Sequence, residues 1–247
     1  MRQSGARPRA GWRAAWREAW GAAWRQQWRA DWRRRAAWVV GGFLAALLVG
    51  VAYGFWLQRS GDWAAGLPWE RRFMLRLHTT LPDVVDRVML VLPWFGTNIS
   101  LAPLVAVAAG WLIVSRRRAD LALHLLVVQA GSWILNPLLK AVFDRPRPEL
   151  WPQRGQHAFS AYPSGHAIAS ISVLVTVAIL LHRERGWRWP LVAVATLIVV
   201  SLYSRLYLGV HWPTDVAAGI LIGLVWLFAT LRAFPAPYAG ARRVRQV

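Results

Sequence analysis

The 247-residue chain contains no cysteine, which excludes disulfides and thiolate metal sites at once. Lysine is almost as scarce: of 30 basic residues only Lys140 is lysine, and the other 29 are arginines. Acidic residues number 11, leaving a formal net charge of +19. In a soluble chain that excess would suggest nucleic acid. Here the arginines fall mostly between apolar runs, which fits the loop bias of membrane proteins better. His78, His124, His157 and His182 lie scattered at loops or span ends without metal-ligand spacing, so neither a metal nor a cofactor is expected. No cleavable signal peptide is visible, because the region up to Arg35 lacks an apolar centre.

Apolar surface is what the chain has in quantity. Its composition is 56% hydrophobic, and several runs approach the length of a bilayer crossing. Six spans are expected: Trp38–Leu57, Ile99–Val114, Leu121–Phe143, Ser164–Leu181, Pro190–Leu208 and Pro213–Leu231. The fold class that follows is all-α, an integral membrane bundle of six transmembrane helices behind an amphipathic N-terminal tail. Residues 36–232 form the membrane domain, flanked by a Trp/Arg-rich tail (1–35) and a basic C-terminal tail (233–247). Between the first two spans, Leu67-Pro68-Trp69 punctuates a mixed region. There Pro82 is placed to open a short helix with Val84, Val85, Val88 and Met89 on one side.

In the N-terminal tail, Trp12, Trp16, Trp20, Trp24, Trp28 and Trp32 recur every four residues. A four-residue repeat drifts about 40° per step on a helix, so the tryptophans describe a spiral stripe. A helix on the inner leaflet and a disordered basic tail are both compatible with this pattern. With six spans, both termini share one side, and 20 of the 29 arginines lie there. The positive-inside bias then puts the termini of this expected plasma-membrane protein in the cytoplasm.

Three clusters are left on the outer, periplasmic side. One runs from Lys140 to Arg147-Pro148, the second is Pro163-Ser164-Gly165-His166, and the third is Ser204-Arg205 through His211 to Asp215. An ionisable group deep in a bilayer costs about 2.5–3.5 kcal/mol even on lenient scales, so such clusters indicate a polar site. Lys140, Arg147 and Arg205 together suit a substrate of concentrated negative charge, phosphate above all. Ser164 and Gly165, where a helix begins, offer a hydroxyl and free N–H groups to its oxygens. Either histidine could attack phosphorus. Asp215, four residues past His211 with Pro213 between, can reach back to the other ring nitrogen of His211. That leaves His166 as general acid.

Lys140-x6-Arg147-Pro148, Pro163-Ser164-Gly165-His166 and Ser204-Arg205-x5-His211-x3-Asp215 together resemble the three-part signature of the type-2 phosphatidic acid phosphatase superfamily. All eleven signature positions are present, in order. The resemblance implies a metal-independent phosphatase of its membrane branch. In it His211 would be the nucleophile, Asp215 its partner and His166 the acid/base. Lys140, Arg147, Ser164, Gly165 and Arg205 would hold phosphate.

The membrane setting points to lipid substrates: polyprenyl pyrophosphate, such as undecaprenyl pyrophosphate, phosphatidylglycerophosphate or phosphatidic acid. No nucleic-acid partner is expected. The alternatives are an anionic-lipid transporter or flippase using the same cations without hydrolysis, and a membrane-surface scaffold built on the tail. Outside the site, Asp144 and Arg145 are expected to pair with each other. Gln129 and Asn136 are expected to bond between helices.

Overall fold

Helix supplies every regular element among the described residues of this computed structural model, which are 11–79, 83–114, 118–151 and 160–235. The start of the basic tail, Pro82, His157 and the C-terminal arginines Arg242, Arg243 and Arg245 lie outside them, as do the side chains of the Trp12–Trp28 repeat.

Helix α1 runs from Gly11 to Arg59 with no break between the tail and the first apolar run. Then come α2 (Pro68–Thr79), α3 (Asp83–Val91), a 3-10 turn (Leu92–Gly96), α4 (Asn98–Val114) and α5 (Ala119–Val142). The second half holds α6 (Gly165–Ala169), a π turn (Ser170–Leu174), α7 (Val175–Arg185), α8 (Trp189–Tyr207) and α9 (Pro213–Ala233).

Five segments are long and apolar enough to cross a membrane: Asp31–Arg59, Ala119–Val142, Gly165–Arg183, Trp189–Tyr207 and Pro213–Ala233. The remaining expected span, Ile99–Val114, falls within the single helix α4. The 17 residues of α4 reach only about 26 Å, short of a hydrocarbon core of about 30 Å. Arg87–Gly96 precedes it at a 48° bend, and the two make a sixth crossing only if taken as one broken span.

Val40, Leu44 and Leu48 form an exposed row along α1, as lipid-facing residues do. The opposite side of α1 packs on α9, where a Cβ on Gly42 would collide with Ala229. Such small-residue contacts let helix backbones approach where lipid tails provide no hydrophobic drive between helices. One core joins Ala46, Leu135, Leu139, Ile168, Ile222 and Trp226 of α1, α5, α6 and α9. A second joins α4, α5 and α8 through Leu101, Val105, Leu125, Val128, Ile198 and Leu202. Gln129 donates to Asn98 Oδ1 at 3.0 Å, a polar tie between α5 and α4.

Two local expectations need correction. Pro68 does not merely interrupt the chain; it begins α2, and Glu70 accepts the Leu67 N–H at 2.8 Å. Proline in the first turn and a carboxylate turned back to the preceding N–H are both helix-start devices. In α3, Met89 is buried while Val88 is exposed, so these two do not share a face. Neighbours in sequence stand about 100° apart on a helix.

Candidate active site

Four helix ends meet at one end of the bundle. Lys140 lies on the last turn of α5 and Arg205 on the last turn of α8. Gly165 and His166 open α6, and Asp215 lies in the first turn of α9. Helices running alternately up and down bring these ends together.

Backbone bonds then lock the connecting segments to one another. The Ser164 N–H donates to the Asp215 carbonyl at 3.0 Å, and the Ala161 N–H to the Arg145 carbonyl at 2.8 Å. Lys140 donates to the Ser160 carbonyl, and Arg147 Nη1 to the Val210 carbonyl. Gly219 allows the close approach of α9 to the second motif, because a Cβ there would stand 2.6 Å from the Ser164 carbonyl oxygen. Gly209, at φ +67°, takes the left-handed turn between α8 and His211 that a side chain would strain.

His211 sits inside this frame almost fully buried. Its Nδ1 lies 2.8 Å from the Ala161 carbonyl oxygen. A carbonyl can only accept, so Nδ1 carries the proton and the lone pair is left on Nε2. Burial, reinforced by Arg147, Lys140 and Arg205, pushes the His211 pKa well below the ordinary histidine range. The ring is therefore held neutral among three cations. Burial also lowers the Arg147 pKa, with Asp215 opposing the shift.

Asp215 does not make the direct bond to His211 that the four-residue spacing suggests. Its Oδ2 is 3.8 Å from His211 Nδ1, beyond hydrogen-bond range. The carboxylate is already committed: Oδ2 accepts the Trp212 N–H at 2.8 Å, and Oδ1 accepts Arg145 Nη1 at 2.6 Å.

Arg145, in turn, is not paired with Asp144. Successive residues of an extended segment point to opposite sides, so Asp144 is exposed and Arg145 fully buried. Arg145 donates to Thr214 Oγ1 at 2.7 Å, to Glu70 Oε2 at 3.2 Å and to the Trp63 carbonyl at 3.0 Å. The rings of Trp63 and Trp212 lie 5.3 and 5.5 Å from its guanidinium carbon, an arrangement suited to cation–π attraction. Glu70, also fully buried, accepts both the N–H and the hydroxyl of Thr214, at 2.9 and 2.7 Å. Glu70, Thr214 and the Ala161 carbonyl are not among the residues expected from the sequence. Only the helix-start pattern at Pro68–Glu70 signals that Glu70 has a defined position.

Of the expected site residues, Lys140, Arg147 and Arg205 are brought around His211, and Asp215 lies beside it. Ser164 is buried with its Oγ lacking a hydrogen-bond partner among the described residues. Gly165 packs against Asn136, 2.7 Å from a Cβ built on it. His166 is half-buried on the first turn of α6, just before the π turn. A Cβ on Gly96 would stand 3.6 Å from its Cδ2, which sets the 3-10 turn against its ring.

The model of the PAP2 superfamily matches residues 121–238. Phosphatidylglycerophosphatase B of Bacillus subtilis is 30% identical over 149 residues, covering 58% of this chain and 72% of that protein. An undecaprenyl-diphosphatase of Sulfolobus acidocaldarius is 31% identical over 147 residues, 56% of this chain and 66% of that one. A crystal structure of a transmembrane PAP2-type phosphatidylglycerolphosphate phosphatase from Bacillus subtilis superposes with a TM-score of 0.63 at 23% identity. The superposition covers 78% of this chain and 94% of that one, and shows a shared fold.

Proposed function

Since the chain belongs to the PAP2 superfamily, we propose that it is an integral membrane phosphatase that hydrolyses a lipid phosphate or pyrophosphate without a metal, through a phosphohistidine. The observation that carries this reading is the state of His211: its proton is committed to the Ala161 carbonyl, which leaves the lone pair on Nε2, and Lys140, Arg147 and Arg205 act electrostatically on the ring.

A phosphate drawn to those cations presents phosphorus to Nε2. The new N–P bond forms as the bond from phosphorus to the lipid oxygen breaks, and His166 gives the leaving oxygen its proton. Water then attacks phosphorus and yields its proton to His166. The N–P bond breaks, and inorganic phosphate leaves. The three cations, the Ser164 hydroxyl and the Gly165 N–H share the charge that builds on the equatorial oxygens. Asp215 acts through its field on His211 rather than through a direct bond.

A lipid substrate is supported by the bundle itself, since the four helix ends lie where a headgroup meets the end of a span. The names of the relatives favour phosphatidylglycerophosphate and undecaprenyl diphosphate as first substrates to try. The arginine distribution favours cytoplasmic termini and a site on the outer face.

The test is release of inorganic phosphate in detergent from phosphatidylglycerophosphate, phosphatidic acid and undecaprenyl diphosphate. Release from at least one of them is expected, undiminished by a chelator. Release from none by folded wild-type protein contradicts the proposal.

A further inference from the structure

We infer that Glu70 and Arg145 are a positioning pair for His211. Arg145 fixes both neighbours of Nδ1, and Glu70 balances the Arg145 charge so that Asp215 keeps its negative field on the ring. The inference rests on the phosphatase reading of the site.

Two paths lead from Arg145 to the same ring nitrogen. Through the backbone, its carbonyl accepts the Ala161 N–H at 2.8 Å, and the Ala161 carbonyl accepts His211 Nδ1–H at 2.8 Å. Through the side chain, its Nη1 holds Asp215 Oδ1 at 2.6 Å, while Oδ2 of the same carboxylate stands 3.8 Å from His211 Nδ1. One residue therefore sets both the bonded and the electrostatic neighbour of the nucleophile.

Charge explains the need for Glu70. Arg145 and Asp215 alone sum to zero, and a guanidinium against Oδ1 would cancel the field that Oδ2 sends towards His211. The second carboxylate, 3.2 Å from Arg145 Nη2, returns the group to a net charge of about −1. Thr214 completes the ring by donating to Glu70 Oε1 while accepting from Arg145 Nη1.

Stability gives a poor reason for this arrangement. Glu70, Arg145 and Asp215 are all fully buried, and apolar side chains often replace buried ion pairs without loss of stability. Glu70 also ties α2, which lies outside the segments long enough to span, to the catalytic frame.

The test is Glu70→Gln in the full-length chain in detergent micelles, a change that keeps the side chain's size and a carbonyl oxygen. Its kcat for lipid phosphate hydrolysis should fall about tenfold or more, with KM within about twofold of wild type. In protein labelled with 15N-histidine, the His211 Nδ1–H resonance should move. A folded Glu70→Gln protein with wild-type kcat and an unmoved resonance overturns the inference.

Should the single variant fail to fold, Glu70→Met with Arg145→Met removes both charges. That protein keeps the Asp215 charge but loses the Arg145 hold on Oδ1, so it should stay slow, and wild-type kcat in it overturns the inference too. The wild type in the same assay separates the two claims. If it releases no phosphate, the proposed function fails, while the resonance still tests the pair.

Discussion

At the scale of single residues, the site turns on how each polar atom is committed. His211 keeps its proton on Nδ1 and a free lone pair on Nε2. His211→Ala should therefore reduce phosphate release by at least about a thousandfold, with the fold intact by circular dichroism. The pH dependence follows from the direction of its shift. A histidine whose folded pKa lies below about 6.5 stays neutral as the pH falls past that value, so the acid limb of kcat/KM should lie lower still. An acid limb above 6.5, after correction for the substrate's own titration, would contradict the assignment. The same shift acts on stability. The contribution of the neutral ring is fully present above the unfolded pKa and declines as the pH falls through 6.5 towards the folded pKa. The three motifs were legible in the sequence because each is local, with spacing that survives into structure. Asp215 shows the limit of that reading: four residues put it within reach of His211, but Trp212 N–H and Arg145 hold its two oxygens and the Ala161 carbonyl, 50 residues upstream, takes the ring proton.

At the scale of elements, what matters is how α9 docks. Gly219 lets it lie against Ser164, and Thr214 ties its first turn to α2. Gly219→Ala would place a methyl 2.6 Å from the Ser164 carbonyl and 2.7 Å from Ala167 Cβ. We expect it to cost about 1–3 kcal/mol of stability and to lower kcat, read by thermal unfolding and phosphate release. Thr214→Val should leave Glu70 and Arg145 short of partners, at about 1–3 kcal/mol, read by the same unfolding measurement. The long apolar helices were legible from composition and length alone. Helix α2 was missed because Leu67-Pro68-Trp69 reads equally as a break or as a helix start, and Glu70 decides between them only through its bond to Leu67 N–H. The span at α4, expected at Ile99–Val114, was legible too, since the helix runs Asn98–Val114. Whether Arg87–Gly96 joins it across a 48° bend as a sixth crossing was not legible, because hydropathy carries no information about a bend.

At the scale of the whole molecule, the proposed topology has one end of the bundle outside the cell and the arginine-rich end inside. The lack of cysteine makes this directly testable, since a single introduced thiol has no background. Asp144→Cys, exposed beside the site, should react with a membrane-impermeant maleimide on intact cells. Arg188→Cys, exposed in the connection between α7 and α8, should react only after permeabilisation. The opposite pattern would reverse the topology without changing the chemistry of the site.

The claim on which the account depends most is that phosphorus passes through His211. The direct measurement is to mix the protein with lipid phosphate carrying a radioactive phosphoryl group, quench in alkali and locate the label. The account predicts an acid-labile, alkali-stable label on the peptide bearing His211, absent from His211→Ala. Phosphate release with no label on the protein, or a label that persists in His211→Ala, would contradict it.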